Sequence, residues 1–164
     1  TRRSSDLDPV EYCHKQIGYN YRLTNIQAAM GVAQIEQIRE FVAKKRAIAD
    51  RYMKALGDIP GISFQAEAPW ARSAWWMFTI RIAPAQFGRD SRATLKALGE
   101  KGVETRPLWQ PMHISPAHKD CPRRRCPIAS ALHRTSLSLP CSVGLDEKSQ
   151  DYVIGLLRKL HAAR

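Results

Sequence analysis

Apolar residues recur every three or four positions from Ile26 to Leu56, at Ile26, Met30, Ala33, Ile38, Phe41, Ile48, Tyr52, Met53 and Leu56. That is the spacing of a helix with one stripe turned to a core. Thr24, followed three residues later by Gln27, makes a capping box in which each side chain satisfies an orphan amide of the other's backbone, so the helix starts there. Gly57 and Pro60 stop it. The pattern predicts one helix over residues 24–57, about 50 Å long at 1.5 Å per residue. Gly31 and the polar run Ala43-Lys44-Lys45-Arg46 are the expected places for a bend. A helix of that length is more than a domain this small needs internally, so it is expected to pack on a partner subunit or on another domain.

Beyond it, Trp75-Trp76-Met77-Phe78-Thr79-Ile80-Arg81-Ile82 alternates as a strand does, with Trp76, Phe78, Ile80 and Ile82 assigned to the core face. Asp90 or Ser91 begins a helix to about Lys101, Gly102 ends it, and Val103-Glu104-Thr105-Arg106 returns as a short strand. Five prolines between Pro107 and Pro127 forbid a continuous helix or a central strand there and predict an ordered loop along a surface cleft. A short helix near Ile128–Leu132, an extended Ser136–Pro140 and a closing helix from Asp146 to about His161 complete the chain. Tyr152, Val153, Leu156, Leu157 and Leu160 form the buried stripe of that last helix. The expected architecture is α+β: a small, mainly antiparallel sheet with helices, preceded by the long helix.

At 164 residues the chain is long enough to bury one core, and its composition does not read as disordered. No apolar run is long enough to span a bilayer and Thr-Arg-Arg-Ser-Ser-Asp is no signal peptide, so a cytoplasmic location is expected. Twenty-six Lys and Arg against fifteen Asp and Glu give a formal charge of +11, which invites a polyanion or a phosphate-bearing metabolite. The basic residues are scattered. Their one dense cluster, Arg123-Arg124-Arg125, lacks the interleaved aromatics of a single-strand binder, so it reads first as a solvated face or a basic rim, and a nucleic-acid-binding module stays an alternative. Cys13, Cys121, Cys126 and Cys141 are few and irregular, as suits reduced thiols. Cys121 and Cys126 with His113 and His118 fit a zinc site poorly, and no metal is expected.

Two stretches carry chemistry. Gly18-Tyr19-Asn20-Tyr21-Arg22-Leu23 is a polar loop set directly before the capped helix, where the Asn20 amide and the Arg22 guanidinium are donors suited to anionic oxygens. A turn asparagine bonding its own backbone and a solvated arginine are the plain alternatives, although positive charge next to a helix N-terminus is disfavoured unless an anion is present. Arg106-Pro107-Leu108-Trp109-Gln110-Pro111-Met112-His113 holds a guanidinium, an indole and an imidazole on a proline-stiffened loop, so little entropy is lost when a ligand orders them. Against this stand an ordinary surface residue at a strand end for Arg106 and a histidine bonded to backbone for His113.

These two stretches, with His14-Lys15-Gln16-Ile17 and Leu137-Ser138-Leu139-Pro140 followed by Gly144-Leu145-Asp146, resemble the DegT/DnrJ/StrS family of pyridoxal 5'-phosphate-dependent sugar aminotransferases. Within it they are most similar to the subgroup that aminates UDP-4-keto-6-deoxy-N-acetylhexosamines. Cys141 after Leu-Pro and the triple arginine depart from the family pattern. The resemblance implies the small C-terminal domain of a fold type I transferase, divided as residues 1–23 (interface loop), 24–57 (linking helix) and 58–164 (small domain). It further implies a homodimer with a shared active site, glutamate as amino donor and a 4-keto nucleotide sugar as acceptor, in surface-polysaccharide or lipopolysaccharide synthesis. Asn20 is implied to bind the cofactor phosphate of the other subunit, Arg22 an anionic substrate group, and Arg106, Trp109 and His113 the substrate. None of the nine lysines stands in the context of the family's Schiff-base lysine. That lysine and the cofactor domain are expected upstream, and the isolated chain is expected to be inactive. A catalytically dead relative with a scaffold role is the rival within the same fold.

Overall fold

The computed structural model describes residues 23–122 and 124–163. Thr24 opens the first helix as expected. Its hydroxyl accepts from the Gln27 amide at 3.3 Å and the Gln27 side-chain oxygen accepts from the Thr24 amide at 2.8 Å. Helix α1 (Asn25–Glu36) is followed by α2 (Ile38–Leu56). The expected single helix is therefore broken, at Gln37 and not at Gly31 or 43–46. Gln37 has φ −104° and ψ 1°, and its amide turns to the Gln34 carbonyl at 3.3 Å, a tighter reach than an α-helix makes.

The expected buried stripe is also halved. Ile48, Tyr52 and Leu56 of α2 are buried, but α1 contains no buried residue, and Ile26 and Met30 are 76% and 63% exposed. Eight of its twelve residues, counting Gly31, carry no polar side chain, and the other four are Asn25, Gln27, Gln34 and Glu36.

Four strands, β1 (Ile62–Phe64), β2 (Phe78–Ile82), β3 (Arg106–Pro107) and β4 (Ser136–Leu139), pair antiparallel in the order β1-β2-β4-β3. Phe78 faces Leu139 and Arg106 faces Ser138 in the register. Val103 to Thr105 do not join the sheet, so the returning strand is shorter than its pattern suggested, although Val103 and Thr105 are buried. Helix α3 (Pro84–Phe87) follows β2, α4 (Ser91–Gly99) is capped by Asp90, α5 (Pro127–Thr135) leads into β4, and α6 (Glu147–Ala162) is capped by Asp146. Between β3 and α5 the proline-rich segment forms two 3₁₀ turns, Met112–Ile114 and Pro116–His118.

Tyr52 and Leu56 of α2, Phe78, Ile80 and Ile82 of β2, Leu137 and Leu139 of β4, and Val153 and Leu157 of α6 form one core. Burying a large aliphatic or aromatic side chain contributes about 1.5–3 kcal/mol, so this cluster holds the domain together. Tyr52 stacks on Phe78 with centroids 5.0 Å apart. Gln150, fully enclosed, donates to the Ile48 carbonyl at 2.8 Å and ties α6 to α2. On α6 the expected stripe shifts: Gln150 and Ile154 are buried, whereas Tyr152 is 51% exposed and donates its hydroxyl to the Lys101 carbonyl at 3.0 Å.

The alternation at the start of β2 also differs from its reading. Trp75, not Trp76, enters the core: Trp75 is 3% exposed and Trp76 66%. Trp75 has φ 49°, in the left-handed region that bulky residues rarely adopt. That single residue reverses the face count, so Trp76 leaves the core while Phe78 keeps its place.

Candidate active site

The long segment from Gln65 to Met77 is held to α2 by charge. Arg46 donates through both terminal nitrogens to Glu67, at 2.9 and 3.0 Å, and also to the Ser73 carbonyl at 2.7 Å. The Ser73 amide donates to the same carboxylate at 2.5 Å. The Arg46 hydrogen bonds, then the Ser73 amide, hold the Glu67 carboxyl down to about 2.

One helical step from Arg46, Lys45 reaches across the other side of this segment. Its ammonium donates to the carbonyls of Trp76 and Cys141, each at 2.6 Å, and lies 3.5 Å from the Cys141 sulfur. The Tyr52 hydroxyl donates to the Pro140 carbonyl at 2.9 Å, and burial pushes its ionisation well above the usual tyrosine range. Helix α2 thus fixes the Leu139-Pro140-Cys141 corner and the entrance to β2 together. Cys141 itself is buried, and the Phe78 amide points to its sulfur at 3.4 Å.

These anchors form one end of a cleft of about 790 Å³, a size suited to a small ligand. Its floor is Ser138 to Ser142 of β4 and the following turn. Its rim carries Trp76, Glu104, Arg106 and Lys148, and Tyr152 and Val153 of α6 close the far side. Arg106 is ion-paired with Glu104.

Trp109 stacks nearly parallel on Trp76, with centroids 5.4 Å apart and 19° between the planes. His133, buried in α5, lies 2.7 Å through Nδ1 from the Leu108 carbonyl and pins the segment that carries Trp109. His113 sits elsewhere. Its Nε2 is 2.8 Å from the Ser130 hydroxyl, in a separate hollow of about 370 Å³ that also contains Arg125 and Cys126. Arg106 and Trp76 therefore line the larger cleft, Trp109 stands behind Trp76 without lining it, and His113 does not line it either. Asn20 and Arg22 lie outside the described residues.

Several residues of this region are not evident from the sequence. Lys45 reads as part of a polar run where the helix is expected to bend, Trp76 as core, and Tyr152 as core. The Trp-Trp pair was the available signal for Trp76, since two adjacent indoles cannot both face inward on a regular strand. Among the described residues, no three His, Cys, Asp or Glu side chains stand close enough to hold a metal ion, and Cys121 and Cys126 are exposed free thiols. Among them also, no helix is long and apolar enough to cross a membrane.

Residues 4–158 match the model of the DegT/DnrJ/EryC1/StrS aminotransferase family. The chain belongs to that family. EpsN of Bacillus subtilis (strain 168), assigned as a pyridoxal phosphate-dependent aminotransferase, is 34% identical over 92% of this chain and 39% of its own length. GDP-perosamine synthase of Caulobacter vibrioides is 34% identical over 94% of this chain and 42% of its own. Among solved structures, a DegT/DnrJ/EryC1/StrS aminotransferase from Brucella abortus superposes with a TM-score of 0.74 at 27% identity, over 94% of this chain and 40% of that one. The DegT-family chain thus spans about two-fifths of the length of these relatives. The small antiparallel sheet and its helices are those of pyridoxal phosphate-dependent sugar aminotransferases.

Proposed function

We propose that this chain is the C-terminal part of a pyridoxal phosphate-dependent aminotransferase that moves an amino group from glutamate to the 4-keto carbon of a nucleotide sugar, for surface-glycan synthesis in the cytoplasm. The observation that carries the reading is the match of residues 4–158 to the aminotransferase family together with coverage of only about two-fifths of its members. Relatives named GDP-perosamine synthase and dTDP-3-amino-3,4,6-trideoxy-alpha-D-glucose transaminase support a nucleotide-linked substrate.

When bound, pyridoxal phosphate supplies an electron sink for amino transfer and needs a lysine amine to hold it. Neither Lys45 nor Lys44 fits that duty. Lys45, the one that faces both carbonyl anchors of the cleft, spends its ammonium protons on Trp76 and Cys141, and Lys44 is paired with Glu40 at 2.6 Å. With the chain spanning about two-fifths of the relatives' length, we assign the reactive amine to a part of the enzyme outside this chain. This chain's share is binding. Asn20 donates to the cofactor phosphate across a homodimer, Arg22 and Arg106 hold anionic groups of the substrate, Trp109 offers an apolar plate, and His113 with Ser130 orders a hydroxyl-recognising corner.

The test is amino transfer by the longer, cofactor-loaded enzyme. ¹⁵N-labelled glutamate and a UDP-4-keto-6-deoxy sugar should give a ¹⁵N-amino sugar, and Arg106→Ala should raise KM more than it lowers kcat. Absence of label transfer to any 4-keto nucleotide sugar, by an enzyme that retains its cofactor, contradicts the assignment.

A further inference from the structure

The exposed face of Trp76 is unexplained by the fold. An indole that is 66% solvent-accessible forgoes much of the roughly 25 cal/mol per Å² that burial of apolar surface contributes, yet the surrounding structure holds it in that position deliberately. Three constraints converge on it. The left-handed backbone of Trp75 turns the Trp76 side chain out of the core. The Lys45 ammonium and the Cys141 thiol grip the Trp76 carbonyl from two sides, at 2.6 and 3.6 Å. Trp109 backs the ring in a near-parallel stack, which covers one face of Trp76 and leaves the other open.

The open ring borders the 790 Å³ cleft, whose rim also carries Arg106 and Lys148, with Ser142 and Ser149 hydroxyls beside them and the Glu104 carboxylate paired to Arg106. A flat ring edge and two cations around one hollow match a ligand that has both a planar base and a diphosphate. A free sugar has no use for the cations, and an inorganic anion has none for the plate.

We infer that Trp76, backed by Trp109, is the stacking plate for the base of a nucleoside diphosphate whose phosphates face Arg106 and Lys148. This deepens the nucleotide-sugar reading above and rests on it. It makes Trp76 an affinity-determining residue and not a discriminating one: a plate accepts any base by its π-face, so the choice among bases comes from groups at the ring edge.

The 164-residue chain is titrated calorimetrically with UDP, GDP, dTDP and inorganic pyrophosphate, and saturation transfer from protein to ligand is read on the base protons. Trp76→Ala and Trp76→Phe are compared, with circular dichroism as the folding control and the thermal midpoint registering the loss of the Trp109 stack. The expected result is binding of at least one nucleoside diphosphate more tightly than pyrophosphate, strong transfer to the base, about tenfold weaker binding in Trp76→Ala, and most of the affinity retained in Trp76→Phe. Unchanged affinity in Trp76→Ala, equal binding of pyrophosphate, or no nucleotide binding by the parent chain overturns the inference. If the longer enzyme aminates a nucleotide sugar while Trp76→Ala binds normally, the plate is wrong and the aminotransferase reading stands. If no amino transfer occurs while the plate binds nucleotide, the converse holds.

Discussion

Glu67 and Arg46 meet in two parallel hydrogen bonds of 2.9 and 3.0 Å, and this fork ties the segment leading to Trp75 and Trp76 against α2. Because the native carboxyl is depressed to about 2 from an ordinary 4.5, its contribution to stability is fully present above pH 4.5 and is lost as pH falls toward 2. Urea denaturation from pH 7 to pH 2 should therefore show a shallower acid loss for Glu67→Gln than for the parent chain, with the two curves diverging between pH 4.5 and 2. Parallel curves through that window contradict a native ion pair.

Tyr52 works at the opposite end of the pH scale. Its raised ionisation is caused first by burial, then by the neighbouring Cys141, so the neutral phenol is stabilising below its ordinary value of 10.0 and the native state is weakened as pH rises above it. Tyr52→Phe removes the bond to the Pro140 carbonyl and should cost about 1 kcal/mol at pH 7. It should also remove part of the alkaline loss of stability, read by chemical denaturation between pH 9 and 11.

Lys45→Met keeps a long apolar stem but removes the donor that joins the Trp76 and Cys141 carbonyls. A charged donor lost from two partly buried acceptors should cost about 2 kcal/mol. Amide exchange at residues 76–78 and 141–142 should rise before exchange in the α6 core does.

Helix α1 stands on its cap and its hydrogen bonds, since none of its residues is buried. Thr24→Ala should cost about 1 kcal/mol of helix stability, but in this chain alone the loss stays local. Exchange at residues 25–36 should quicken while the global urea midpoint hardly moves. A large fall in that midpoint would mean that α1 is part of the cooperative core.

Much of the architecture is legible in the sequence because local chemistry decides it. The Thr24–Gln27 box, the Asp90 and Asp146 caps, and the Phe78, Ile80 and Ile82 alternation all appear where the pattern places them. The misreadings share a cause. Period alone cannot show Gln37 interrupting a helix whose apolar spacing continues, nor Trp75 taking a positive φ, nor Tyr152 leaving its stripe to bond Lys101. Each depends on contacts distant in sequence or on a backbone state that the residue type disfavours. For the candidate site, Arg106 and Trp109 were visible as motif residues, but Lys45 and Trp76 were not, because the pattern marked Lys45 only as part of a polar run where the helix could bend and placed Trp76 in the core. His113 was visible as chemistry, but its separation from Arg106 was not.

The proposal most in need of a test is that this chain completes a cofactor site whose reactive amine lies elsewhere. The direct measurement is the visible absorbance of pyridoxal phosphate, titrated into the folded 164-residue chain, into a separately made cofactor domain of the same enzyme, and into their mixture, with amino transfer from glutamate followed in parallel. Transfer is expected only in the mixture, and is expected to be lost again with Asn20→Ala. Transfer by this chain alone, or a mixture of two folded parts that never gains activity over the cofactor domain alone, would contradict it.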